Sequence, residues 1–192
     1  MKIFVDMDHT LNKLYVTYND YYNNIFNIDP GLKRENLTNY QLDTLIGTDI
    51  EVEKERKCQI FNIPGFWKSI PIYENAARVM EDLYKKHDVY IVTAPWVDAP
   101  ECYLEKRRWV EHHLPFFDVN KIIFTKYKYL LHGDIIIDDC PEFLVNNSCR
   151  WQIKMNYPFN ENMVAFDAED WNEIKVYVDE INEMEKKYGR NT

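Results

Sequence analysis

The sequence is short of three things, and each shortage closes off a class of protein. Positive charge is scarce: 23 Lys+Arg stand against 32 Asp+Glu in 192 residues, a formal net charge of −9. Proteins that grip duplex nucleic acid normally carry a basic face, so no duplex nucleic acid is expected as a partner. Any small anionic ligand must be met by local cations or a metal, because the overall field repels it. Long apolar runs are missing too, and none approaches the ~20 residues of a bilayer span. Met1-Lys2 leads directly into a strand pattern, without the basic, apolar and small-residue layout of a secretion signal. The expectation is a cytoplasmic protein with no membrane partner. Cysteine is limited to Cys58, Cys102, Cys140 and Cys149, with no C-x-x-C pair and no His at zinc-site spacing. These read as reduced, structural thiols. Low-complexity tracts and internal repeats are also absent. Glycine is sparse, at 5 residues, which decides nothing about function.

What is present is a foldable composition, 46% hydrophobic and 15% aromatic, with enough apolar mass for one domain plus an insertion. Five short runs rich in Val, Ile and aromatics read as strands, at 2–6, 88–93, 121–125, 134–138 and 150–155. They lack clean alternation, as strands buried on both faces of a parallel sheet do. Between them, helical spacing appears at 73–86, 101–113, 142–146 and 171–188. In the last of these, Lys186-Lys187 and then Gly189 suit a helix C-terminus. Strands alternating with helices predict an α/β fold, a Rossmann-like three-layer core with a five-stranded parallel sheet. Residues 12–72 are too long for a loop in a compact domain. Helical patterns at 14–26 and 40–61 make them a small helical cap inserted after strand one, with 1–11 and 73–192 as the core.

Ligands of an open α/β sheet bind beyond the carboxyl ends of its strands. Strand one ends at Asp6 and Asp8, two carboxylates two residues apart, with the hydroxyl of Thr10 following at a spacing suited to a phosphate oxygen. Strand two ends at Thr93-Ala94, strand three is followed by Lys126 and Lys128, and strand four ends at Asp138-Asp139. Each signal alone has an ordinary explanation: a turn, a solvated lysine, a helix N-cap. Together, on one rim, acid, hydroxyl, cation and acid fit a phosphoryl-transfer site dependent on Mg²⁺, which hard carboxylate oxygens suit. In that reading Asp6 attacks phosphorus, Asp8 moves the proton, Thr93 and the amides after it hold oxygens, and a lysine neutralises charge.

The order D-x-D-x-T, Thr, Lys, D-D, with a cap after the first strand, resembles the haloacid dehalogenase superfamily of aspartate-nucleophile phosphatases. The segments VDMDHTL, PGFWKSIPIYENA, YIVTAP, YLEKRRWVEHHLPFF, KIIFTKYKYLLHGDIIIDD and NYPFN are similar to the 5′(3′)-deoxyribonucleotidase family. The resemblance is only general over 15–60. It implies a magnesium-dependent enzyme, a phosphoric monoester hydrolase that removes phosphate from deoxyribonucleoside mononucleotides. Asp6 matches the nucleophile. Asp8 matches the acid/base and faces the metal with its backbone carbonyl. Asp138 and Asp139 complete the metal site, with Asp139 preferred as the direct ligand. Thr93, the Ala94 amide and Lys128 match the phosphate contacts. Lys128 fits better than Lys126 because it lies ten residues before Asp138. Leu14, Tyr40, Gln41 and Leu42 fall where the family lines its base and sugar pocket, although Tyr40 and Leu42 could equally pack the cap.

Three departures bear on substrate preference. Ala94 stands where the family often has Ser, Val97 where some members have Lys, and His9 where Gly is common. His9 could touch substrate or sit in a surface loop. Phe66, Trp67 and Trp109 are expected in the core, and Glu105-Lys106-Arg107-Arg108 on a solvated helix face, with Lys106 able to reach the rim. The rival functions are a phosphatase for a sugar phosphate or a polynucleotide 3′-end, and a catalytically silent nucleotide-binding protein. The oligomeric state is open to a homodimer.

Overall fold

The structure, a computed structural model, describes residues 1–47 and 49–188. Its sheet has six parallel strands, not five: β1 Lys2–Asp6, β2 Asp88–Thr93, β3 Ile122–Phe124, β4 His132–Asp138, β5 Ser148–Met155 and β6 Phe166–Ala168, in the order β3-β2-β1-β4-β5-β6. The additional strand, β6, is three residues long at the sheet edge, and its middle residue is an exposed Asp167. Three residues of F-D-A have too little apolar pattern to stand out, and register against Ile153–Met155 makes them a strand. With β1 central, the carboxyl ends of β1, β2 and β4 come together on one rim.

The helices are α1 Leu14–Phe26, α2 Ile50–Phe61, α3 Ala76–Lys86, α4 Glu101–His113, α5 Pro141–Val145 and α6 Trp171–Tyr188. α3 begins three residues later than the 73–86 pattern because Asn75 takes a left-handed conformation, φ 64°. The single helix expected over 40–61 is broken. A 3₁₀ turn covers Leu42–Thr44, Gly47 turns the chain at φ 65°, and α2 starts at an N-cap where Asp49 Oδ1 accepts from Glu51 N at 3.1 Å. Gly47 is needed there for two reasons. Its backbone is left-handed, and a Cβ would lie 2.8 Å from Glu53 Oε1.

The two faces of the sheet are unequal. Ile3, Val5, Ile91, Ile135, Ile137 and Ile153 point into one large core shared with α3, α4, α6 and the inserted helices α1 and α2. Phe4, Val92 and Ile136, which alternate with them, form with Cys149 a smaller cluster to which no long helix contributes a buried residue among those described. The three layers expected are therefore one deep helical layer, the sheet and a thin cover. The two ends of the insert between β1 and α3 are hydrogen-bonded to each other, and contacts along its length join it to the rest. At its two ends Tyr73 N donates to Leu11 O (2.9 Å) and Lys13 N to Pro71 O (2.9 Å). Arg34 donates to Asn156 O (2.7 and 3.0 Å) and to Glu169 O (2.7 Å). Among the described residues, no helix is long and apolar enough to cross a membrane.

Candidate active site

The turn after β1 puts its acids where the strand-end argument expects them. Leu11 N and Asn12 N both donate to Met7 O, at 2.9 and 3.0 Å, closing the chain tightly behind Asp6 and Asp8. His9 occupies the left-handed region at φ 60°. An L-residue there is strained unless its surroundings hold it. Tyr157 donates to His9 O (2.8 Å), and Trp171 Nε1 donates to Thr10 O (3.0 Å).

Asp6, Asp138 and Asp139 are all buried, and one carboxylate oxygen of each lies within 4.8 Å of the others. Lys128 Nζ donates to Asp6 Oδ1 and to Asp138 Oδ2 (2.6 Å). Lys126, by contrast, is exposed. Thr10 does not offer its hydroxyl to the cavity but donates it to Asp139 Oδ1 (3.1 Å). Cys140 N donates to Asp138 Oδ1 (2.9 Å), and Asn160 Nδ2 donates to Asp139 O (2.7 Å), so the pair after β4 is fixed from both sides. Burial, and then repulsion from Asp138 and Asp8, raises Asp6 to about 7 despite Lys128. Burial, with Asp6 and Asp138 alongside, raises Asp139 as well. Burial alone would lower Lys128, but Asp138 and Asp6 raise it above its ordinary value. Three buried carboxylates, two of them bonded to one ammonium and the third to a hydroxyl, form a hard-oxygen donor set short of positive charge. A divalent cation fits that set.

Asp8 has a different environment. Its side chain is 21% exposed, Asn12 Nδ2 donates to Oδ1 at 3.1 Å, and Lys106 Nζ donates to Oδ2. Its carboxylate stands outside the three-acid cluster. Lys106 also donates to Thr93 Oγ1 (2.8 Å) and Ala94 O (2.9 Å). The solvated face expected for 105–108 is thus wrong for its first two residues. Lys106 is 1% exposed, and Glu105 is 5% exposed and accepts from Gly65 N and from Trp67 N (3.0 Å). Cys102, Lys106, Trp109 and Val110 share helical spacing and one buried stripe, and that is the signal that reveals Lys106. Thr93 is fully buried, with its hydroxyl engaged by Lys106, while Ala94 lines the cavity.

A cavity of about 320 Å³ opens above these acids, within the range of small-molecule sites. Core residues Asp6, Asp8, His9, Ala94, Lys128, Asp138, Asp139 and Phe143 line it, and so do Leu14, Tyr40, Gln41 and Leu42 from the insert. The insert adds Lys57 and Phe61, which the sequence does not single out. Gln41 Nε2 donates to Tyr40 OH (3.2 Å), and Tyr40 packs edge-on to Phe159. His9 is no surface residue. It is 4% exposed, stacked parallel to Tyr15, with neither ring nitrogen hydrogen-bonded, and burial lowers it to about 4 so that it stays neutral. Phe66, Trp67 and Trp109 are in the core, as expected.

Residues 1–182 match the family model described as "5' nucleotidase, deoxy (Pyrimidine), cytosolic type C protein". The chain belongs to this family. A relative from Staphylococcus aureus, named "Putative 5'(3')-deoxyribonucleotidase", is 32% identical over 146 residues, 74% of this chain and 75% of the relative. One of the same name from Staphylococcus epidermidis is 26% identical over 189 residues, 94% and 97% of the two chains. Among solved structures, a haloacid dehalogenase-like hydrolase from Streptococcus pneumoniae superposes with a TM-score of 0.58 at 13% identity, over 92% of this chain and 97% of that one. A magnesium-bound HAD-hydrolase from Bacillus subtilis gives 0.55 at 14%, over 92% and 97%. At such identities the structures establish the fold, a HAD-like α/β architecture. Family membership makes this chain a phosphoric monoester hydrolase of the nucleotidase class.

Proposed function

We propose that the protein is a magnesium-dependent phosphomonoesterase that hydrolyses deoxyribonucleoside monophosphates, at the 5′ or 3′ position, to nucleoside and phosphate. The observation that carries this reading is the division of labour between two acids. Asp6 lies buried against Lys128 within a three-carboxylate cluster, and Asp8, two residues on, lies outside it, held by Lys106 and Asn12. Mg²⁺ held by Asp6, Asp138, Asp139 and the Asp8 carbonyl would supply positive charge for the phosphoryl oxygens. An Asp6 carboxylate oxygen forms a bond to phosphorus while the ester P–O bond breaks, and Asp8 gives its proton to the leaving oxygen. Asp8 then takes a proton from water, which attacks the aspartyl phosphate, and Asp6 and inorganic phosphate separate. Lys128, together with the bound metal, would favour the ionised form of Asp6 as the charge on phosphorus is redistributed. Lys106 orients Asp8 and, through Thr93 Oγ1 and Ala94 O, the loop whose amides would face the phosphoryl group.

The insert at residues 12–72 acts as the cap in this reading, with Leu14, Tyr40, Gln41 and Leu42 meeting base and sugar. Aromatic and apolar faces there suit stacking, and Gln41 offers an edge hydrogen bond. A panel of deoxyribo- and ribonucleoside monophosphates and sugar phosphates, each with Mg²⁺ and scored for released phosphate, tests the substrate. Turnover of the deoxyribonucleotides is expected. Activity confined to sugar phosphates would overturn it.

A further inference from the structure

The cavity holds a basic residue to which the chemistry above gives no task. Lys57, on α2, lines the same cavity as Asp6, Asp8, Asp138 and Asp139. Its Nζ stands 2.7 Å from Asp43 Oδ1 and 5.5 Å from the centroid of the Trp96 ring. Asp43 is 2% exposed and the Lys57 side chain 16%, so the ammonium sits in the wall of the cavity rather than in bulk solvent. Trp96 follows Ala94 by two residues, and Ala94 also lines the cavity, so Trp96 ties Lys57 to the loop leaving β2. Phe61, four residues along α2, faces the cavity too and packs edge-on to Trp96 (5.1 Å between centroids), fixing this side of the helix against that loop.

Charge decides what Lys57 is for. Among the described residues the cavity wall carries five acids, Asp6, Asp8, Asp138, Asp139 and Glu142, and two bases, Lys57 and Lys128. Lys128 is taken by Asp6 and Asp138, and Lys106 behind the wall by Asp8, Thr93 and Ala94. A phosphomonoester brings up to about two more negative charges. An ammonium has three donors, and among the described residues Lys57 has one carboxylate neighbour.

We propose that Lys57 is a substrate-binding residue through which the insert completes the phosphoryl site. It donates to a non-bridging oxygen of the substrate's phosphoryl group, and of product phosphate, while Asp43 holds it in place. The phosphoryl group is then gripped from two separate segments of chain, the strand-end rim and α2. The inference rests on the phosphomonoesterase reading, and its test does not need turnover.

The test is calorimetric titration of inorganic phosphate, with Mg²⁺ present, into wild type, Lys57→Met, Lys57→Arg and the double variant Lys57→Met/Asp43→Asn. The double variant removes the carboxylate that Lys57→Met alone would leave buried and unpaired, so it guards against a folding defect. Phosphate affinity is expected to weaken about 10- to 100-fold in both Met variants, the range for a hydrogen bond to a charged group, and to return largely with Arg. KM should rise together for a nucleotide and for p-nitrophenyl phosphate, which has no nucleoside. Unchanged phosphate affinity in the folded double variant overturns the proposal, as does a KM effect confined to nucleotides, which would assign Lys57 to the nucleoside half. Wild type that binds no phosphate overturns it too. Wild type that binds phosphate, weakened in the variants, but turns over no phosphomonoester upholds Lys57 and refutes the catalytic reading instead.

Discussion

Two regions of the molecule bury carboxylates, and they treat them in opposite ways. In the insert each of the two buried acids meets its own cation. Glu53 accepts from Tyr22 OH and from Arg56 Nη1, both at 2.8 Å, Arg56 also donates to Tyr22 OH (2.6 Å), and Asp43 pairs with Lys57. At the strand-end rim, Asp6 and Asp138 share Lys128, and the Asp139 carboxylate beside them accepts, among the described residues, only from the Thr10 hydroxyl. Burying a charge without a matched partner costs several kcal/mol. The insert is electrostatically finished as it stands, whereas the rim is complete only with positive charge brought from outside. That difference marks the rim as the place where a cation is needed, without reference to any relative.

The strongest way to sharpen the contrast is to remove one rim acid. Asp6→Asn should lower phosphate release from a nucleotide by about 10³-fold or more, as loss of a nucleophile does. The same substitution should stabilise the metal-free protein at pH 8, because it removes one of three crowded like charges. Urea unfolding reads that second effect. Lys106→Met comes next. It frees Asp8, Thr93 and Ala94 together, and kcat should fall about 10- to 100-fold, with a shifted pH profile that a merely structural loss would not produce.

A smaller effect concerns pH. Asp6 holds its proton in the folded state up to about pH 7, against an ordinary value of 3.8. The raised value means the folded state binds that proton more tightly than the unfolded chain does. Its contribution to stability is fully present below about pH 4 and is lost as pH rises through about 7. Asp139 acts in the same direction. Metal-free protein should therefore lose stability across that window, and adding Mg²⁺ should raise Tm more at pH 8 than at pH 5. Scanning calorimetry at the two values checks it. The smallest effect lies in the insert, where Tyr22→Phe should cost about 1 kcal/mol in denaturant unfolding and leave turnover unchanged.

Legibility in the sequence follows the same divide. Asp6, Asp8, Lys128, Asp138 and Asp139 could be located because each stands at or just past a strand end, and a parallel sheet brings strand ends together whatever the rest of the chain does. Lys106 resisted because a K-R-R run reads as solvated, although its register with Cys102, Trp109 and Val110 marks it as buried. Lys57 lies on a helix with almost no apolar face, E-V-E-K-E-R-K-C, so no periodicity indicates which side meets the cavity. The burial of His9 depends on Tyr15 and Tyr157, the second of them 148 residues away, which no local pattern encodes. The break at Gly47 and the edge strand β6 are likewise tertiary outcomes, set by Glu53 against the glycine and by the register with β5.

The central claim is that Asp6 forms a covalent bond to phosphorus. Enzyme mixed with a deoxyribonucleoside monophosphate and Mg²⁺, quenched in acid within one turnover and digested for mass spectrometry, tests it directly. A phosphoryl adduct on the peptide carrying Asp6, absent from Asp6→Asn and from metal-free enzyme, is the predicted result. Full phosphate release from Asp6→Asn, or an adduct on another residue in active enzyme, would contradict it.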